Sequence, residues 1–186
     1  MIRLKLCGTE IFLHFSFFAM LCLYLQLEKD GAACLSAALI HEAGHLMAFV
    51  LQKTAPKELH FQFGGIRLIP PDAPLPFWGE FFTLASGGMI SLLCGWIFYI
   101  MNSGTALPHL LTGVFSLLPL PGLDGGEIVS LFQSRFFPDK EPLFHLAGLF
   151  LAIAAALFFS VIGILFRNPL CLLPAAGILL AALTQK

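Results

Sequence analysis

Five consecutive residues, His41-Glu42-Ala43-Gly44-His45, carry the side chains best suited to chemistry in this chain. On an α-helix, residues four apart face the same side about 6 Å apart along the axis, so His41 and His45 can close on one metal ion. Zinc is the ion that this spacing most often binds, and Glu42 would lie beside it as a proton acceptor. The pentad therefore predicts metal-assisted proton-transfer chemistry.

The composition places this pentad in a membrane. Of 186 residues, 58% are hydrophobic and 11% are charged, whereas soluble domains are about 45–50% apolar. Mean hydropathy is +0.88. Two imidazoles and a carboxylate within lipid cost several kcal/mol unless they pair or hold a metal, which indicates a functional site. The formal charge of −1 and the lack of a basic, aromatic-rich cluster exclude nucleic acid as a partner.

Six segments are apolar enough to be membrane spans, which need about 20 mostly apolar residues. Four meet this length clearly: 11–27, 32–51, 81–101 and 143–166. Two are shorter and contain prolines: 105–123 and 169–184. The sequence therefore predicts an all-α polytopic membrane protein with about six transmembrane helices, forming one domain over residues 1–186.

The basic residues predict the orientation of these spans. With the N-terminus inside, only Lys29 and Arg167 lie outside the cell. The other eight are cytoplasmic: Arg3, Lys5, Lys53, Lys57, Arg67, Arg135, Lys140 and Lys186. Because basic residues concentrate in cytoplasmic loops, both termini are predicted to be cytoplasmic.

The longest segment between spans, residues 52–80, contains a predicted β-hairpin. Leu59, Phe61 and Phe63 alternate with polar residues, and Gly64-Gly65 then precedes a second apolar run that ends at 69. Alternation around a glycine turn is typical of a hairpin, and the phenylalanines would reach the lipid interface. An ordinary cytoplasmic loop is the alternative interpretation.

A catalytic zinc usually has three protein ligands, so the histidine pair needs a partner. Asp124 is the better candidate, because prolines and glycines at 119–126 prevent a regular helix there. Irregular backbone at membrane depth must be enclosed by protein or face a wet cavity. Glu127, one turn further on, is the alternative ligand.

The chain resembles the site-2 proteases, which are intramembrane zinc metalloproteases that pair HExxH with a distant Asn-x-x-Pro-x-x-x-x-Asp-Gly motif. Residues 116–125 read SLLPLPGLDG and match this motif except that Ser116 replaces the asparagine. The family's glycine hairpin and small-residue motif have counterparts in Phe63-Gly64-Gly65 and Ala85-Ser86-Gly87-Gly88. Gly88 and Ser91 stand where proline and asparagine are frequent in the family.

The resemblance implies that His41, His45 and Asp124 bind Zn²⁺ and that Glu42 is the catalytic carboxylate. It further implies cleavage of a membrane-spanning substrate in a bacterial cell membrane, in regulated intramembrane proteolysis. Expected partners are a membrane-protein substrate, the lipid bilayer and, as a further possibility, a regulatory membrane protein. Predicted substrate contacts are the hairpin residues Phe61, Phe63, Gly64 and Gly65, together with Ser116.

Two other functions are compatible with the composition. The first is a catalytically silent membrane protein that binds a partner, against which the intact pentad and aspartate count. The second is a transporter that uses the ionisable residues as a proton or metal pathway. Transporters are typically built from repeats, and the sequence shows none.

The remaining histidines and the cysteines are interpreted as packing residues. His14 lies four residues after Glu10 and could pair with it on a helix. Three others, His60, His109 and His145, fall in loops or at span ends. The five cysteines are scattered and form no Cys-x-x-Cys pair.

Overall fold

The computed structural model describes residues 2–6, 9–18, 22, 28–62, 65–69, 71, 74–165, 176, 178, 179 and 182. Its strands are β1 (Ile2–Leu6), β2 (Thr9–Leu13), β3 (Glu58–Gln62) and β4 (Gly65–Ile69). Its helices are α1 (Glu28–Leu51), α2 (Phe77–Ile100), α3 (Ala106–Ser116), α4 (Asp124–Phe136) and α5 (Glu141–Leu165). Two compact units comprise residues 1–115 and 116–186.

Three helices of the described chain are long and apolar enough to cross a membrane: Gly31–Leu51, Phe77–Ile100 and Pro138–Val161. They confirm the spans predicted at 32–51, 81–101 and 143–166 within a few residues. Large apolar side chains of α5, such as Phe150 and Leu157, are exposed, as expected for a helix that faces lipid. The chain is thus a mostly helical integral membrane protein with a small β-sheet.

The other three predicted spans are not found as single membrane-spanning helices among the described residues. A first helix cannot begin at 11, because residues 11–13 belong to β2; most of 19–27 lies outside the described residues. The span predicted at 169–184 also lies almost entirely outside them. The span predicted at 105–123 is wrong as one helix, since α3 ends at Ser116. Pro119 and Pro121 lack the backbone N–H that a continuing helix needs.

Helix α4 corrects the expectation that glycines break the chain near Asp124. It begins at Asp124, and Gly125 and Gly126 are buried in its first turn. A Cβ at Gly125 would collide with the Leu117 carbonyl oxygen, and one at Gly126 would collide with that of Leu120. These glycines therefore allow the first turn of α4 to lie close to the backbone of residues 117–120.

The predicted hairpin is confirmed and forms half of a larger sheet. The strand order is β1-β2-β3-β4, with β2 parallel to β3 and the other two pairs antiparallel. Side chains alternate between faces along a strand, so the register separates an apolar from a polar face. The apolar face carries Ile2, Leu4, Ile11, Leu13, Leu59 and Phe61, and the mostly polar face carries Arg3, Lys5, Glu10, Glu58 and His60 together with Phe12.

Strand geometry also changes one predicted pairing. Glu10 pairs with Arg3 across β1 and β2, while His14 contacts His60. In extended chain, residues four apart are separated by about 13 Å rather than one helical turn. The predicted Glu10–His14 pair is therefore wrong.

Helices α1 and α2 pack closely because small residues line their contact. A Cβ at Gly44 would lie 2.8 Å from the Ser86 carbonyl oxygen and 3.0 Å from the Gly87 Cα. Ala37 and Ala48 of α1 are fully buried. In membranes, small residues allow such close approach, and dispersion contacts then hold the helices together.

We expect Gly44→Ala to destabilise the fold, because the new methyl group would force the α1 and α2 backbones apart. The expected loss is about 1–3 kcal/mol, measured as the unfolding free energy in detergent. Gly104→Ala is the matched control, since a Cβ at that position would meet nothing within 4 Å. Equal stability of the two variants would contradict the proposed close packing.

Candidate metal centre

Helix α1 places His41 and His45 on one side with their rings facing. Their Nε2 atoms are 3.2 Å apart, and the ring planes are nearly perpendicular, at 84°. Two nitrogens bound at about 2.0–2.1 Å to one tetrahedral zinc ion are about 3.3 Å apart. The observed spacing therefore suits two ligands of a single ion.

A backbone carbonyl fixes the protonated nitrogen of His45. Its Nδ1 lies 2.7 Å from the Thr83 carbonyl oxygen, which can only accept a hydrogen bond. Nδ1 therefore carries the proton, and in the neutral ring Nε2 keeps its lone pair on the side of His41. Metal-binding histidines usually have such a second partner, which sets the tautomer and orients the ring. His45 itself is only 6% exposed.

Further polar groups hold Thr83 in place. Its carbonyl also accepts a 2.7 Å hydrogen bond from the Ser86 hydroxyl. Its own hydroxyl accepts a 2.8 Å bond from Gln52 Nε2 and donates to the Gly79 carbonyl at 3.0 Å. Neither Thr83 nor Gln52 was predicted from the sequence. A signal was present, since Thr83 and Ser86 are polar residues three apart on a largely apolar helix.

Ser91 of α2 approaches the other imidazole. Its hydroxyl lies 3.4 Å from His41 Nδ1, and the side chain is fully buried. Ser91 is therefore placed to steady the His41 ring.

Gly87 lies directly against the two imidazoles. A Cβ at this position would collide with His45 Nε2 and lie 2.8 Å from His41 Cε1. Any side chain at 87 would therefore occupy the space in which the two imidazole Nε2 atoms face each other.

The aromatic residues of α2 indicate the depth of this pair. Trp78 lies near the start of the helix and Tyr99 near its end, and both are largely exposed, as in the aromatic belts at membrane interfaces. Thr83 follows Trp78 by five residues, which is about 7.5 Å along the helix, and Gly87 lies about 13.5 Å along it. The imidazoles therefore lie inside the apolar length of α2, in the half nearer its start.

Asp124 stands at the first turn of α4, directly after a tight loop. The Leu120 N–H donates to the Leu118 carbonyl at 2.7 Å, and the Leu123 N–H donates to the Leu120 carbonyl at 3.1 Å. Asp124 is half-buried, whereas Glu127 is exposed. Of the two candidate carboxylates of α4, Asp124 is therefore the more enclosed.

Of the other predicted site residues, the structure describes some and not others. Glu42 is half-buried on α1, and Ser116 is buried at the end of α3. Phe61 lies on β3 with its ring edge-on to Phe17, at 5.3 Å between centroids. Gly65 begins β4. Phe63 and Gly64 lie outside the described residues.

His109 is a buried residue whose predicted role was packing. It is fully enclosed, with its ring 4.9 Å from that of Phe98 and its Nε2 3.3 Å from the Ser36 hydroxyl. These contacts join α1, α2 and α3.

Comparison with known proteins identifies the fold. No family model and no curated protein matches the sequence. Among solved structures, the Site-2 Protease from Methanocaldococcus jannaschii matches with a TM-score of 0.67 over 97% of this chain and 93% of that chain, at 20% identity. The chain therefore has the site-2 protease fold, which confirms the resemblance seen in the sequence motifs at the level of the fold.

We expect Gly87→Ala to weaken metal binding, because the added methyl group would displace the His45 imidazole. The expected loss of zinc affinity is at least about 10-fold, as for disturbed outer partners of metal ligands. Competition of the purified protein with a chelator measures it.

Gly113→Ala is the matched control for this experiment. Its Cβ would also be crowded, 2.7 Å from Leu92 Cγ and 2.9 Å from the Gly88 carbonyl oxygen, but these atoms do not belong to the imidazole pair. It should lower stability and leave zinc affinity unchanged. Equal zinc affinity in both variants would show that Gly87 has no specific role in metal binding.

Proposed function

We propose that this chain is an intramembrane zinc endopeptidase that cleaves a peptide bond of a membrane-spanning substrate. The observation that carries the proposal is the His41–His45 pair, whose Nε2 atoms are 3.2 Å apart inside an apolar helix. The Thr83 carbonyl supports it by holding the His45 proton on Nδ1. The shared fold with a site-2 protease supports it further.

The proposed zinc ligands are His41, His45 and Asp124. Two neutral imidazoles and one carboxylate form a donor set typical of catalytic zinc, which keeps a further position for water or substrate. The half-buried position of Asp124, against the exposed position of Glu127, supports the choice. When bound, zinc would polarise the substrate carbonyl and make water nucleophilic near neutral pH.

Glu42 is the proposed general base. It directly follows His41 and precedes His45 by three residues on α1, so the helix presents it beside the imidazole pair. Its carboxylate oxygen would accept a proton from the attacking water and then donate it to the nitrogen of the leaving amine. A half-buried position leaves it accessible to both water and substrate.

The sheet is the proposed receptor for the substrate backbone. A helical substrate hides its carbonyls in its own hydrogen bonds, so it must unwind locally before cleavage. Strand β4 is the outer strand on its side of the described sheet, and an extended segment can add to such an edge through main-chain hydrogen bonds. Phe61, Phe63, Gly64, Gly65 and Ser116 remain the proposed substrate contacts.

We expect Glu42→Gln to abolish turnover while the protein keeps its zinc. General acid–base catalysis contributes about 10²–10⁴-fold, so the cleavage rate of a synthetic transmembrane peptide should fall by at least that factor. Elemental analysis should still find the metal, because Glu42 is not a proposed ligand.

Asp124→Ala should lose both zinc and activity, because the ion would keep only two protein ligands. Glu127→Gln is the matched control, since it removes a carboxylate from the same turn of α4, and it should retain both properties. If Asp124→Ala keeps its zinc while Glu127→Gln loses it, Glu127 is the third ligand. Full cleavage by Glu42→Gln would contradict the protease proposal and favour transport or partner binding.

Photocrosslinking should identify the sheet edge that receives the substrate. A photoreactive residue at position 69 of β4 should capture the peptide in the Glu42→Gln background, because an added strand would lie within its reach. The same residue at position 3 of β1, on the opposite edge of the described sheet, is the control. Crosslinks from β1 alone would assign the substrate to the other edge.

A further inference from the structure

Two histidines outside the proposed catalytic centre also face each other. His14 directly follows β2 and His60 lies in the middle of β3. His14 Nε2 is 3.4 Å from His60 Nδ1, close to the 3.2 Å that separates the Nε2 atoms of His41 and His45. The spacing again matches the distance of about 3.3 Å between two nitrogens bound to one zinc ion.

Neighbouring groups hold both rings in this arrangement. The His60 ring stacks on Phe12, with centroids 4.5 Å apart and planes inclined by 12°. The His14 backbone N–H donates to the Phe61 carbonyl at 2.9 Å, which fixes the chain beside β3. The two imidazoles are therefore arranged before any ligand binds.

A carboxylate sets the orientation and tautomer of His60. Glu58 Oε2 accepts a 2.8 Å hydrogen bond from His60 Nε2, so in the neutral ring the lone pair lies on Nδ1, facing His14. When no metal is present, His14 Nε2 donates a hydrogen bond to His60 Nδ1. In the other neutral tautomer of His14 the proton is on Nδ1, and then His14 Nε2 and His60 Nδ1 both offer lone pairs to a metal ion. A carboxylate–histidine–metal arrangement of this kind is typical of histidine ligands.

Charges of both signs share this face of the sheet. Arg3 is paired with Glu10, which offsets its charge. The Glu58 carboxylate, hydrogen-bonded to His60 itself, adds a negative charge beside the imidazole pair. This charge favours a bound cation.

We propose that His14 Nε2 and His60 Nδ1 form a second binding site for a divalent transition metal, with water completing the coordination and Glu58 as the positioning residue. Imidazole nitrogens suit Zn²⁺, Cu²⁺ and Ni²⁺. With two protein ligands, the site binds more weakly than a three-ligand centre. The ion joins the segment after β2 to β3 and so stabilises the sheet. The site does not depend on the proposed peptidase activity.

Zinc titration of the metal-stripped full-length chain in detergent tests the proposal. His14→Gln and His60→Gln should each bind one zinc ion fewer per chain than the wild type, or bind it at least about 10-fold more weakly. Glu58→Gln should weaken the same binding event by about 10–100-fold. His145→Gln is the matched control, because it removes an exposed imidazole from α5 and should change nothing.

Cu²⁺ provides a spectroscopic readout that a purely structural role would not alter. The wild type should show electron paramagnetic resonance couplings to two imidazole nitrogens at this site, and the His14→Gln and His60→Gln variants should lose them. Equal zinc stoichiometry and affinity in the His14→Gln/His60→Gln double variant and the wild type would overturn the proposal.

A measurement on the unmodified chain covers the case in which the variants do not fold. Zinc should protect His14 and His60 of the wild type from diethyl pyrocarbonate, as followed by peptide mapping, and should leave His145 reactive. Equal labelling of His14 and His60 with and without zinc would equally overturn the proposal.

Discussion

The hydrogen bond from His45 Nδ1 to the Thr83 carbonyl is the interaction on which the candidate metal centre depends. It joins α1 to α2, turns the imidazole and decides which nitrogen carries the proton. At 2.7 Å it is a short bond, and the accepting carbonyl belongs to the backbone of α2. The position of α2 therefore controls the orientation of the His45 imidazole on α1.

The bond is possible only because the two helices approach closely. Gly44 meets the backbone of α2, and Gly87 leaves room for both imidazoles. Each glycine weakens its helix in isolation. Within a membrane, however, backbone contact and a satisfied polar network compensate, since an unpaired polar group in lipid is costly.

The sheet also brings polar groups together through backbone pairing. Its register separates an apolar face from a polar face that carries Glu58, His60 and Arg3. Cross-strand pairing brings His14 to His60 although the two residues are far apart in sequence. The outer strand β4 and the proposed second metal site thus belong to one small sheet, so metal binding and substrate binding would act on the same element.

Local patterns predicted much of this structure. The alternation at 59–69 predicted the hairpin because side-chain period is a local property. Strand β2 was missed because residues 11–27 have enough hydropathy for a span and because β2 pairs in parallel with a strand far along the chain. Strand β1 pairs with β2 and was missed with it. Helix α4 was missed because its glycines were interpreted as helix breakers, whereas they accommodate the preceding turn.

The sequence alone determined the membrane setting, the candidate ligand residues and the spacing of His41 and His45, since helical geometry follows from neighbouring residues. Only the tertiary structure decided where the His45 proton resides, which residue leaves space for the imidazoles, and that His14 meets His60. Those features depend on hydrogen-bond partners and close contacts contributed by distant segments, which no local pattern encodes.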